Sequence, residues 1–87
     1  MKRIEPSVEM IPVKLPPLGA EAGGKAKVIR WLVPLGAAVE KDAEIVEVEA
    51  EKCAFAVESP GSGVLVKFTV KEGDEVGEGD VMGFIRV

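Results

Sequence analysis

Histidine and tyrosine are missing from this 87-residue chain, and cysteine and tryptophan occur once each. Without histidine there is no imidazole base and no zinc-finger ligand set, and a single cysteine rules out a disulfide framework. No apolar run approaches membrane-spanning length. The opening MKRIEPSVEM is charged and has no apolar centre, so it is not a secretory signal. Lysine and arginine (11) are outnumbered by aspartate and glutamate (15), giving a net charge of −4 and no basic stripe with which to neutralise a phosphate backbone. Neither a nucleic-acid nor a membrane partner is expected, and a reducing, cytoplasmic compartment fits best.

What is present points to short strands and turns. Valine is abundant, and ten glycines and six prolines accompany only four aromatic residues, Trp31, Phe55, Phe68 and Phe84. Eighty-seven residues make one domain, near the lower limit for an unaided core.

The chain repeats itself. Residues 24–48 align without a gap on residues 61–85, a shift of 37: Gly24 falls on Gly61, Val33 on Val70, Gly36 on Gly73 and Val39 on Val76. Trp31 falls on Phe68, Ile45 on Met82 and Val48 on Ile85. In KVIRWLV, alternation sets Ile29, Trp31 and Val33 on one face and Val28, Arg30 and Leu32 on the other; in LVKFTV it sets Val66, Phe68 and Val70 against Leu65, Lys67 and Thr69. The face bearing the aromatic ring is the expected core face, because burying a large side chain is worth about 1.5–3 kcal/mol. PLGAAV and KEGDEV then turn at Gly36 and Gly73, where a positive φ is expected. After each turn the apolar spacing slips to three, Ile45 to Val48 and Met82 to Ile85, which a β-bulge would produce twice.

Two such units bury their apolar faces only against each other, which predicts an all-β flattened barrel or sandwich with internal pseudo-twofold symmetry. Residues 1–10 carry no pattern and read as a flexible segment, with the domain over 11–87. Between the copies lies EVEAEKCAF, a hairpin with Lys52 at its tip; Cys53, Phe55 and Val57 are expected to alternate inward, Ala54, Ala56 and Glu58 outward. The position 37 residues beyond Lys52 falls just past the end of the chain, so the symmetry sets the tip opposite the termini.

This arrangement resembles the lipoyl domains of the biotinyl/lipoyl-attachment family, over about residues 12–87. LPPLGAEAGGKAKVIRWLV is similar to the family's opening and KEGDEVGEGDVMGFI to its closing element. EAEKCAF stands where the family typically has Glu-Thr-Asp-Lys-Ala. The resemblance implies two four-stranded antiparallel sheets and makes Lys52 the lysine that takes lipoate in amide linkage. Glu51 and Cys53 then become the flanking recognition residues. Its implied partners are a lipoate ligase or transferase, a thiamine-diphosphate-dependent 2-oxo acid dehydrogenase, an acyltransferase and dihydrolipoamide dehydrogenase. The module would be a monomeric carrier of acyl groups and reducing equivalents on a swinging arm, not an enzyme.

Three departures bear on that assignment: Glu51 replaces Asp, Ala50 replaces Thr and Cys53 replaces Ala. Biotinyl domains typically carry Ala-Met-Lys-Met, so a biotinyl carrier is the alternative in the same fold, and an unmodified binding or assembly module is the alternative in another class. Cys53 is expected as a small core residue. Its sharper reading, from adjacency to Lys52, is a thiol that exchanges with a dithiolane or senses oxidation. The carboxylates of Glu40, Glu44, Glu47, Glu49, Glu51 and Glu58 are expected on a solvated acidic surface able to steer docking.

Overall fold

Eight short strands account for nearly all the regular structure in the computed structural model, which describes residues 9–18, 24–51 and 53–87. They are β1 (Met10–Lys14), β2 (Lys25–Trp31), β3 (Ala38–Val39), β4 (Glu44–Glu49), β5 (Ala54–Glu58), β6 (Gly63–Phe68), β7 (Glu75–Gly77) and β8 (Val81–Arg86). Two four-stranded antiparallel sheets result, one ordered β1-β8-β6-β3 and the other β5-β4-β2-β7. The orders correspond strand for strand, with β2 matching β6, β3 matching β7, β4 matching β8 and β5 matching β1. The repeat read in the sequence is therefore a structural twofold. Gly36 and Gly73 have φ of +88° and +92°, the left-handed conformation expected of the two turns.

Four ladders slip by one residue, in two symmetry-related pairs. β4 carries an extra residue at Ile45, where Glu44 pairs with Glu58 but Val46 with Val57; β8 carries one at Met82, where Lys14 pairs with Val81 but Val13 with Gly83. These are the slips expected from the apolar spacing of three, and both Ile45 and Met82 are fully buried. The second pair lies at Ile29 in β2 and Val66 in β6.

That second pair corrects the expected core face. Val28 and Leu65, assigned outward by strict alternation, are 1% and 0% exposed, whereas Ile29 and Val66 are only half-buried. A bulge inserts one residue and shifts the phase, so Val28 and Trp31, three apart, both turn toward the core. Past the bulge the expected face holds. Trp31, Val33, Phe68 and Val70 pack against the core from its margin.

Trp31 and Phe68 stack across the twofold with ring centroids 4.0 Å apart and planes inclined by 15°. The indole Nε1–H donates to the Val70 carbonyl at 3.1 Å, satisfying the one polar atom of that ring. The larger ring needs extra room. A Cβ on Gly83 would stand 3.2 Å from the far edge of the indole and 2.6 Å from the Lys67 carbonyl oxygen. The equivalent position in the other half is the valine Val46, and there the equivalent ring is the smaller phenyl of Phe68.

The strands also fix which ends lie apart. β1 runs from Glu9 toward Leu15, whose N–H bonds the Asp80 carbonyl and whose carbonyl accepts from Gly79 N–H. Gly77, at the end of β7, pairs with Lys25 of β2, and Lys27 of β2 pairs with Glu49 at the end of β4. The exit of β1 thus lies on the side of the β4–β5 hairpin. Its entry lies at the other end, where Val87 N–H donates to the Glu9 carbonyl at 3.0 Å. Of residues 1–10, expected as a flexible segment, 1–8 lie outside the described residues, whereas Glu9 is held by Val87 and Met10 opens β1.

Two substitutions test this packing. Leu65→Ala should cost about 2–5 kcal/mol in denaturant unfolding, against less than about 0.5 kcal/mol for Leu32→Ala, which is 42% exposed; equal costs would contradict the bulged register. Gly83→Ala should cost about 1–3 kcal/mol and alter the near-ultraviolet circular dichroism of Trp31. A neutral result would mean that the indole does not reach Gly83.

Candidate functional site

The hairpin between β4 and β5 is short, and its base is fixed on both sides. The β4–β5 ladder runs through Val48↔Phe55 to Glu49↔Ala54, and the Ala50 N–H then donates to the Cys53 carbonyl at 2.7 Å. Ala50 is 5% exposed and belongs to the hydrophobic core. Backbone bonding and burial therefore both hold the chain up to the residue before Glu51. Glu51 is exposed, Cys53 is exposed, and Lys52, the expected attachment residue, lies outside the described residues.

Cys53 corrects an expectation. It is a free thiol at the surface, not a small core residue. The inward alternation of the strand begins only at the half-buried Phe55 and reaches full burial at Val57. Cys53 precedes β5 and closes the turn through its carbonyl, so its side chain is not bound by the pleat of the strand. The buried residue of the turn is Ala50, whose position sequence reasoning noted only as a departure from threonine. Its burial shows no local signal, because it follows from the register of β4 against its neighbours.

Beside the tip is a shallow polar cleft of about 500 Å³, lined by Lys25 and Lys27 of β2, Glu49, Ala50 and Glu51 of the hairpin, and Glu75 of β7. Lys25 and Glu75 approach to 3.8 Å, and both are well exposed; such a pair contributes little to stability. Sheet register brings these charges together from segments far apart in sequence. The expected acidic surface is present: Glu40, Glu44, Glu49, Glu51 and Glu58 are exposed, and Glu47 is half-buried with Oε1 2.8 Å from Arg30 Nε. Among the described residues no cluster of three or more His, Cys, Asp or Glu side chains is placed to hold a metal ion. Chemically, the site offers exposed carboxylates, an exposed thiol and a fixed backbone on each side of one lysine in the sequence.

Comparison with known proteins gives a consistent answer. The Biotin_lipoyl family, described as "Biotin-requiring enzyme", matches residues 11–85. The chain is 39% identical over 75 residues to the dihydrolipoyllysine-residue acetyltransferase component of the pyruvate dehydrogenase complex of Pseudomonas aeruginosa, covering 86% of this chain and 13% of that protein. It is 37% identical over 74 residues to the dihydrolipoyllysine-residue succinyltransferase component of the 2-oxoglutarate dehydrogenase complex of Bartonella vinsonii, covering 85% of this chain and 18% of that one. The chain thus spans less than a fifth of the length of these relatives. Among solved structures, the lipoyl domain of the 2-oxoglutarate dehydrogenase complex of Azotobacter vinelandii superposes with a TM-score of 0.67 at 28% identity, covering 88% of this chain and 95% of that domain. A multi-domain long-chain acyl-CoA carboxylase matches with the same TM-score at 24% identity, a likeness of fold alone. With an internally twofold β-sandwich, a closed four-residue hairpin turn and relatives of this kind, the chain belongs to the biotinyl/lipoyl-attachment family as a lipoyl domain of the type found in the acyltransferase components of 2-oxo acid dehydrogenase complexes.

Proposed function

We propose that this chain is a non-catalytic lipoyl carrier, covering residues 11–87, in which Lys52 takes lipoate in amide linkage. It serves a thiamine-diphosphate-dependent 2-oxo acid dehydrogenase, an acyltransferase and dihydrolipoamide dehydrogenase, in a reducing cytoplasmic compartment and as a monomer when isolated. The observation that carries the reading is the turn closed by the Ala50 N–H and the Cys53 carbonyl. It fixes the backbone on both sides of one lysine, at the end of the sandwich away from Glu9 and Val87.

The residues present fit the group. Both described neighbours of Lys52 are exposed, so the flanks of the attachment point are open to an attaching enzyme. Lysine supplies an acylable amine on a four-carbon stem. Bound there, the lipoyl group would supply a dithiolane that accepts an acyl group together with two electrons. The chain's own part is positional. Ala50, locked in the core, keeps the tip from sinking, and Glu51 presents the negative charge that distinguishes this hairpin from the Ala-Met-Lys-Met of biotinyl domains. The carboxylates beside the tip favour approach by a basic active-site mouth. Proximity raises the effective concentration of a tethered group at each partner, and a rigid base makes that concentration depend on the arm alone.

Incubation of the intact protein with lipoate, a lipoate ligase and ATP should add one lipoyl mass. Lys52→Ala should abolish the addition, and Glu51→Lys should slow it by about tenfold, the worth of one lost charge-assisted contact. Biotin addition by a biotin ligase in place of lipoyl addition would identify a biotinyl carrier. Addition by neither enzyme would leave an unmodified binding module as the reading.

A further inference from the structure

The internal repeat supplies a control within the molecule. Buried positions agree between the halves because the fold dictates them: Val28 with Leu65, Val39 with Val76, Ile45 with Met82, Val13 with Val57. Positions on the outer faces of the two sheets are free of that demand, so a difference there records what each face meets.

The two outer faces differ in every row. Across β1, β8, β6 and β3 the first row reads Met10, Arg86, Val64, Ala38, and its counterpart across β5, β4, β2 and β7 reads Ala54, Glu49, Lys27, Glu75. The second row reads Pro12, Phe84, Lys67 against Ala56, Glu47, Arg30. The third reads Lys14, Val81 against Glu58, Glu44. The first sheet thus presents three cations and no carboxylate on its strands, around an apolar centre, whereas the second presents five carboxylates and, with Lys25 beside Gly77, three cations. Met10 is 50% exposed, and Pro12, Val64 and Phe84 are part-exposed. A solvent-facing antiparallel sheet normally carries polar side chains outside, and the second sheet obeys that rule. The first does not, and contiguous apolar surface with a polar rim marks an interaction site.

We infer that the outer face of the β1-β8-β6-β3 sheet docks a protein segment with an apolar stripe flanked by carboxylates. The apolar centre of Pro12, Val64 and Phe84 takes the stripe, and Lys14, Lys67 and Arg86 pair with the acids. Charge sign selects this occupant. A lipid surface fits less well, because three cations on a chain of net charge −4 give weak attraction to an anionic bilayer, and the part-exposed Pro12, Val64 and Phe84 lie within the sheet surface and do not protrude from it. The docking face belongs to the sheet that does not carry the hairpin, so it is independent of whether Lys52 is modified.

The test uses the whole chain, labelled with ¹⁵N, and a synthetic helix-forming peptide with a leucine stripe flanked by glutamates. Saturable amide shifts at Val64, Lys67, Phe84 and Arg86 are expected. They should weaken as salt rises and be absent for the same peptide with lysines in place of glutamates. Phe84→Glu gives that position the residue type of its counterpart Glu47, which the fold accepts, and Arg86→Glu reverses a rim charge. Each should weaken the peptide by about tenfold or more, with far-ultraviolet circular dichroism showing both variants folded. Shifts on β2 and β4 instead, equal binding of the lysine peptide, indifference to both substitutions, or no saturable shift would each overturn the inference. So would binding of phosphatidylserine vesicles through this face without binding of the peptide.

Discussion

The shape of the molecule depends on four residues that have no partner in their ladders. Ile29, Ile45, Val66 and Met82 are each inserted into one strand opposite a single step of its neighbour, and they fall into two pairs 37 residues apart. Each insertion bends its strand and changes which face its later residues occupy. Because of them Val28 and Trp31 share a face, as do Leu65 and Phe68, and each half curves around the same small core. With strict alternation, either the aliphatic start or the aromatic end of β2 and β6 would face water. The stacked rings would then be lost, or the buried valines would be. A chain this short, with 47% apolar residues and few aromatics, has no surplus core to lose.

The consequence for the site is mechanical. The twofold relates the bond from Ala50 N–H to the Cys53 carbonyl with the bond from Val87 N–H to the Glu9 carbonyl. One end of the sandwich is a continuous turn and the other is a seam where the described chain begins and ends. A tether at the seam and a load at the turn would pull on opposite ends of a body whose two sheets share one core. The proposed carrier role needs rigid support beneath the turn, and ordinary sheet bonding together with the buried Ala50 supplies it.

Much of this was legible in the sequence, for identifiable reasons. The repeat survives because buried positions and tight turns constrain residue type, so Gly36 with Gly73 and Ile45 with Met82 remain aligned. The bulges at Ile45 and Met82 left a trace because they break the apolar spacing. Those at Ile29 and Val66 left none, because Val28-Ile29 and Leu65-Val66 are apolar on both sides of the slip and satisfy either phase. The exposure of Cys53 was hidden for a similar reason, since a pattern extrapolated from β5 runs on past the point where the strand stops. The cleft of Lys25, Lys27, Glu49 and Glu75 and the contrast between the outer faces emerge only once the register assigns partners. Lys52 is read as the attachment residue from its motif alone; what the structure describes around it is the bonded Ala50 and the exposed Glu51 and Cys53.

The central claim is that ordered backbone extends to the residues that bracket Lys52. Native-state amide hydrogen exchange measures it directly. The account predicts that the Ala50 amide, bonded and buried, exchanges as slowly as that of Val48 in the strand below it. An Ala50 amide exchanging as fast as that of exposed Glu51 would contradict it, because the hairpin would then fray at its base.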